Sequence, residues 1–196
     1  MDTSTAPASA ARERLLTTAA DLFYREGIHG VGVDRVLADA NVTRATMYRH
    51  FAGKEALVAA YLDREDATIR GYFAAAGAQT DDPRELLQLI IEGIADDAER
   101  YHTRGCPFIN AAAEYPDPES DVRQIVASHR AWFRGTLAEV LTAAGASHPD
   151  DAAAVLVLLR DAMLVGNALD GASVRDAFVR AAESVVEPVE TTTFGG

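Results

Sequence analysis

Residues 33–57, "VDRVLADANVTRATMYRHFAGKEAL", decide how this chain folds. From Val33 to Ala40 the apolar residues Val36, Leu37 and Ala40 share one face of a two-turn helix, and Asn41 tolerates the left-handed backbone that a tight turn needs. Thr43 is suited to cap a second short helix. In it Met47 and Phe51, four apart, fall on one side, while Ala45, Thr46, Arg49 and His50 spread over the other. Two short helices joined by about three residues and sharing an apolar side are the parts of a helix-turn-helix. Gly53 breaks the pattern, and Lys54, the chain's only lysine, opens a long helix.

The rest of the composition bounds the fold. A chain of 196 residues, 48% of them hydrophobic, can bury a sizeable core. Alanine is abundant, and glycine and proline are sparse inside the periodic segments, so an all-α protein is expected. The single cysteine, Cys106, excludes an intrachain disulfide and a multi-cysteine zinc cage, and fits a reducing compartment. The first thirty residues lack the pattern of a secretory signal, and no uncharged apolar run is long enough to span a bilayer. A soluble cytoplasmic protein with no membrane partner, metal or cofactor is expected.

Overall charge, −12, argues against a polyanionic partner, but the average hides a split. Residues 1–54 hold seven Arg or Lys against six Asp or Glu, a net of +1, whereas residues 55–196 hold eleven against twenty-four, a net of −13. An anion-binding surface therefore belongs to the first quarter, and the remainder is an acidic body with a different task.

Along the chain, residues 1–9 read as a disordered lead and 188–196 as a disordered tail. A first helix runs from Ala11 through Leu15, Leu16, Ala19, Leu22 and Phe23 to a stop at Gly27. The long helix from Lys54 reaches about Ala76. Asp82 as N-cap with Pro83 at the first helical position starts another, ending near His102. A short helix closes at Glu114, and one holding Val122 to Leu141 ends at Gly145. Pro149 starts a helix that is apolar on nearly every side, which must be covered all round. Ser173, three residues before Asp176, marks a capping-box-like start for a last helix to about Val186. The expected division is a helix-turn-helix domain over 10–70, with the motif itself at about 33–52, and a second helical domain over 71–187.

The exposed face of the second short helix carries chemistry that suits DNA. Arg44, Thr46 and Arg49 can meet base edges from a helix in the major groove. Tyr48, His50 and Lys54 are groups that hold phosphates. Lys54, in the first turn of its helix, faces the positive end of the macrodipole, a placement unfavourable by ~0.3–1 kcal/mol. A phosphate there makes it favourable, because free backbone N–H groups and the ammonium then share one anion.

With those residues in view, the chain resembles the tetracycline-repressor (TetR/AcrR) family, whose pattern runs roughly "T-x-x-x-I-A-x-x-A-G-V-S-x-G-T-x-Y-x-H-F-x-x-K-E-x-L". Val36, Ala40, Val42, Thr43, Thr46, Tyr48, His50, Phe51, Lys54, Glu55 and Leu57 match it. Val33, Asn41 and Ala45 depart from it, standing where Thr, Gly and Gly are usual. The resemblance covers about residues 11–60. It implies a homodimeric transcriptional regulator, usually a repressor, released from DNA by a small ligand. It also implies that Arg44, Ala45, Thr46, Tyr48 and His50 touch DNA, with Lys54 on phosphate. The candidate DNA-binding set is then Arg35, Thr43, Arg44, Ala45, Thr46, Tyr48, Arg49, His50 and Lys54, on a palindromic operator.

The last two helices, Pro149 to Val186, are expected to pair with those of a second copy. Candidate effector-binding residues are Tyr101, Cys106, Phe108, Asn110, Tyr115, Trp132, Phe133, Met163 and Asn167. The two asparagines are buried-amide candidates in apolar surroundings. The segment "RGCPFINAAAE" also resembles a Gly-Cys segment of one branch of the family in which some members sense electrophiles or oxidants. An alternative role for Cys106 follows from that, aided by Arg104. An enzyme built on Cys106 with His102 or His129 lacks a third orienting group and an oxyanion site at recognisable spacing, so no catalytic activity is expected.

Overall fold

The structure, a computed structural model, describes residues 5–186. The expected tail at 188–196 and the first four residues of the expected lead lie outside them. Among the described residues there are nine α-helices and no strand: α1 (Thr5–Glu26), α2 (Val33–Ala40), α3 (Arg44–His50), α4 (Lys54–Gly77), α5 (Pro83–Tyr101), α6 (Pro107–Glu114), α7 (Asp121–Ala143), α8 (Pro149–Asp170) and α9 (Arg175–Val186). Helix α1 begins at Thr5, earlier than the expected Ala11. Pro7 falls in its first turn, where a missing N–H costs nothing because those amides have no partner within the helix. A 3₁₀ turn over Gly171–Val174 precedes α9, so the helix starts at Arg175, past the Ser173 cap that the spacing suggests. The Ser173 side chain lies outside the described residues.

The helices form two compact units, which divide the chain differently from a boundary at 70. The first takes in residues up to 69 together with 107–129, and the second 70–106 together with residues from 130 on. In the first unit, α1 packs on α2 and α3. Leu15, Leu22, Val31, Val36, Met47, Leu57 and Leu62 are all but excluded from solvent, and the Phe23 and Tyr61 rings meet at 6.2 Å. From the other side of the unit, His129 of α7 bonds Asp66 of α4 at 2.7 Å. Its ring stacks face to face on Phe108 at 3.7 Å.

The second unit is built on α5, α8 and α9, which pack against one another. Leu87, Ile90, Ile91, Ala95 and Ala98 form the buried stripe of α5. Arg175 at the start of α9 ties it to α5 through Glu92 and Asp96, each at 2.7 Å. Asn167 of α8 donates to the Ala98 carbonyl at 2.7 Å. Helix α8 is long and apolar enough in composition to cross a membrane, with a mean hydropathy of 1.7 over its most apolar window. One stripe of it, however, including Ala153, Leu156, Val157, Met163 and Leu164, is core.

Candidate functional site

The head of the first unit is assembled by local caps. Asn41 takes the left-handed conformation, φ 52°, and its amide returns to the end of α2. That turn brings Thr43 to the start of α3, where its hydroxyl accepts from the Thr46 amide at 3.2 Å. Met47 is fully buried beneath α3, while Tyr48 is 53% exposed on the outer face. Arg35, Thr43, Arg44, Ala45 and Arg49 are also exposed, and Thr46, His50 and Lys54 are half-buried. The candidate contacts from Thr43 to Arg49 thus lie outward on one short helix, with an apolar underside fixing its roll.

The polar side chains of this face are held in the free chain. Thr46 Oγ1 lies 2.9 Å from Thr43 Oγ1 and accepts from Arg49 Nη2 at 2.9 Å. Arg44 pairs with Asp34. Arg35 donates to Asp39 at 2.7 Å and lies 3.6 Å from Glu26. The bond to Asp39 and the charges of Asp39 and Glu26 hold its guanidinium above the usual arginine range. Asp34 has no distinguishing sequence signal; only the fold brings it onto Arg44.

Lys54 opens α4 as expected, and the chain itself supplies an anion near it. Burial lowers the ammonium's pKa, and the Glu114 carboxylate acts in the opposite direction. The ammonium also lies 6.0 Å from the Phe23 ring centre. Glu114, the last residue of α6, accepts from the backbone amides of Ile28 at 2.7 Å and His29 at 2.5 Å, and lies 3.1 Å from the His29 ring nitrogen. Burial pushes Glu114 up, but the bonds from His29 and Ile28 outweigh it and hold the carboxyl below its ordinary value. Gly27 makes room: its φ is 88°, and a Cβ there would stand 3.4 Å from Glu114.

The effector candidates divide between the units. In the first, Phe108 is packed against His129, Asn110 is half-buried, and Tyr115 lies 5.1 Å from the His29 ring. Burial, then Glu55 and Glu114, raise the Tyr115 hydroxyl's pKa. In the second, Cys106, Phe133 and Met163 are buried, Trp132 and Asn167 are half-buried, and Tyr101 is exposed. The Asn167 amide finds its partner in the Ala98 carbonyl rather than waiting for a ligand. A groove of about 720 Å³ in the second unit is lined by other residues, among them Leu87 and Ile91 of α5, Leu141 of α7, and Ala152 and Val155 of α8.

An outward-facing, capped recognition helix seated on a three-helix head defines a helix-turn-helix DNA-binding protein. Residues 15–61 match the model for bacterial regulatory proteins of the tetR family, and residues 83–170 match a tetracyclin repressor-like C-terminal domain. SCO4454, a TetR-family transcriptional regulator from Streptomyces coelicolor, superposes with a TM-score of 0.87 at 43% identity, over 91% of this chain and 95% of that one. The reduced form of Escherichia coli NemR shares the fold, with a TM-score of 0.75 at 21% identity over 89% and 96% of the two chains. The transcriptional activator FasR of Mycolicibacterium smegmatis is 32% identical over 91 residues, 46% of this chain and 41% of FasR. The match therefore spans less than half of that relative. The chain belongs to the TetR family of transcriptional regulators.

Proposed function

We propose that the chain is a homodimeric repressor that binds a palindromic operator through α3 of each copy and is released by a small-molecule effector in the cytoplasm. The observation that carries DNA reading is the outer face of α3. Arg44 and Arg49 suit guanine N7 and O6, Thr46 a hydroxyl or methyl contact, and Tyr48, His50, Arg35 and Lys54 the phosphates. Thr43 and Ala45 complete the contact surface.

Dimerisation is supported by the other side of α8. Val155, Leu158, Ala162, Val165 and Leu169 are exposed, at spacings of three and four residues. Leu158 is 64% and Leu169 77% exposed in the single chain. Such a stripe is a seam for a second helix, and α8 with α9 supplies it from each copy. Two-fold pairing presents two α3 helices to successive major grooves, about 34 Å apart.

Repression is the sense assigned here, although FasR is named an activator; a promoter–reporter fusion with and without the regulator separates the two. Selection from random DNA tests the rest. A two-fold symmetric site bound by two chains is expected. Recovery of no preferred sequence, or of an asymmetric site bound by one chain, refutes the proposal.

A second reading makes Cys106 a sensor of electrophiles or oxidants. It is favoured by Arg160, whose Nη1 lies 3.7 Å from Sγ, and opposed by burial, since the residue is 1% exposed. If Cys106→Ser leaves oxidant-driven release from the operator unchanged, this reading fails.

A further inference from the structure

The second unit holds a cation where helix periodicity calls for an apolar side chain. Arg160 lies on the buried stripe of α8, in step with Leu156, Val157, Met163 and Leu164, and is 5% exposed. Its guanidinium carbon is 4.8 Å from the Phe133 ring centre. Only Nη1 makes polar contacts, both long: 3.7 Å to Cys106 Sγ and 3.4 Å to Asp161 Oδ1. The second oxygen of Asp161 is held by Arg130 Nη2 at 2.8 Å. Two guanidinium groups therefore share one carboxylate, in a chain that is otherwise strongly acidic. Nε and Nη2 of Arg160 make no hydrogen bond to the described residues and are not among their fully buried unpaired atoms, so this edge of the guanidinium reaches solvent.

A largely buried cation with half a counter-ion is poorly compensated, and an anion reaching its open edge would complete it. The free edge of a guanidinium is a fork that fits a planar carboxylate through two parallel bonds. We propose that Arg160 anchors an anion subsite and that the effector is a monocarboxylate on an apolar or aromatic body, a proposal that rests on the effector-released reading above.

The surroundings define the body. Phe133 meets Phe73 edge-on at 5.3 Å, and Phe73 meets Trp132 at the same distance. An acid bridged to Arg160 adjoins this aromatic cluster through Phe133. Asp161 limits the charge, because a dianion such as a phosphate monoester would be repelled by a carboxylate one residue from its anchor. The Cys106 thiol is a weak acceptor and supplies no charge while protonated.

The test uses the full chain with benzoate, phenylacetate and decanoate, each against its neutral amide, by calorimetric titration and thermal shift. At least one acid is expected to bind at least tenfold more tightly than its amide, to lose at least tenfold in Arg160→Met, and to keep part of its affinity in Arg160→Lys. Methionine fits the apolar stripe, and circular dichroism checks that the variant folds. If it does not, the acid–amide comparison in the wild type decides alone.

Equal binding of acid and amide, no binding by any acid, or unchanged binding by Arg160→Met overturns the proposal. So does a Cys106 that alkylates as a thiolate at neutral pH while added acids stay inert, since the thiolate is then the missing anion. Operator binding is measured on the same samples. DNA bound but acids inert refutes the subsite and leaves the repressor standing. Failure to bind DNA refutes the repressor reading, while the titration still scores the subsite.

Discussion

Replacing Glu114 with alanine removes the acceptor that ties the turn after α1 to the end of α6. Two backbone amides, of Ile28 and His29, lose their partner at 2.7 and 2.5 Å. A hydrogen bond to a charged group contributes about 1.5–3 kcal/mol net when buried. The Glu114 side chain is 24% exposed, so water replaces part of what is lost. The two bonds together then contribute about 2–4 kcal/mol. Amide hydrogen exchange reads this locally: at tenfold per 1.4 kcal/mol, the Ile28 and His29 amides exchange about thirtyfold to several hundredfold faster in Glu114→Ala. Glu114→Gln keeps one carbonyl acceptor and loses about half of that effect. The pH dependence has a definite sign. A carboxyl held below its ordinary value contributes stability above its unfolded-state pKa, about 4.3, and loses it as pH falls through the lower folded-state value. The advantage of wild type over Glu114→Gln therefore persists from neutral pH to about pH 5 and disappears in acid. Exchange at both amides within threefold of wild type in Glu114→Ala, or a Gln variant indistinguishable from wild type at pH 7, would refute the argument.

Three further outcomes check the interface and the seam. Lys54→Gln removes one cation near phosphate and should flatten the slope of log affinity against log salt by up to about 0.9; an unchanged slope means Lys54 touches no phosphate. Asp34→Asn releases Arg44 from its exposed partner and should tighten binding to random DNA by about two- to fivefold, the range of an exposed ion pair, with a steeper salt slope; weaker binding means that Asp34 acts by orienting Arg44. Leu158→Glu places a charge in the exposed α8 stripe and should raise the dimer dissociation constant by about a hundredfold in sedimentation equilibrium; a dimer that survives at micromolar chain concentration excludes this seam.

What could be read from the sequence is what neighbours within a turn or two decide. Thr43 caps α3, Asn41 turns left-handed, Asp82 with Pro83 opens α5, and Gly145 stands just past the end of α7 with φ 85°. Each is a local backbone need met by a suited side chain. Glu114 was invisible as a functional group because its partner Ile28 is 86 residues away, and its own neighbourhood, "NAAAEY", shows only the end of a helix. Ser173 misled for a related reason: the capping spacing is local, but the chain takes a 3₁₀ turn before α9 that spacing does not report. Arg160 was different, since the signal was present. A charged residue in step with Leu156, Val157, Met163 and Leu164 occupies a core position, although the apolar run around it by itself points to dimer packing.

The ion pairs of the reading head bear on how an acidic chain binds DNA at all. Arg35 faces Asp39 and Glu26, Arg44 faces Asp34, and Lys54 feels Glu114, so three of the four cations proposed to contact DNA already have a carboxylate nearby. Binding is then an exchange, in which a phosphate replaces a carboxylate that must be hydrated and attract counterions of its own. Such exchange releases fewer net ions than free cations would, so the salt slope should fall short of 0.9 per phosphate contact. Exposed pairs contribute only about 0–1 kcal/mol, so the exchange is easily reversed. At physiological ionic strength the Debye length is about 8 Å, which screens the net −13 of residues 55–196 from all but the nearest phosphates. At low salt that screening is lost, and repulsion from the acidic body opposes any site where the few cations are not fully engaged. Affinity for random DNA, which rests on phosphate contacts alone, is then low, and a site that also satisfied the proposed base contacts of Arg49 and Thr46 would stand out above it.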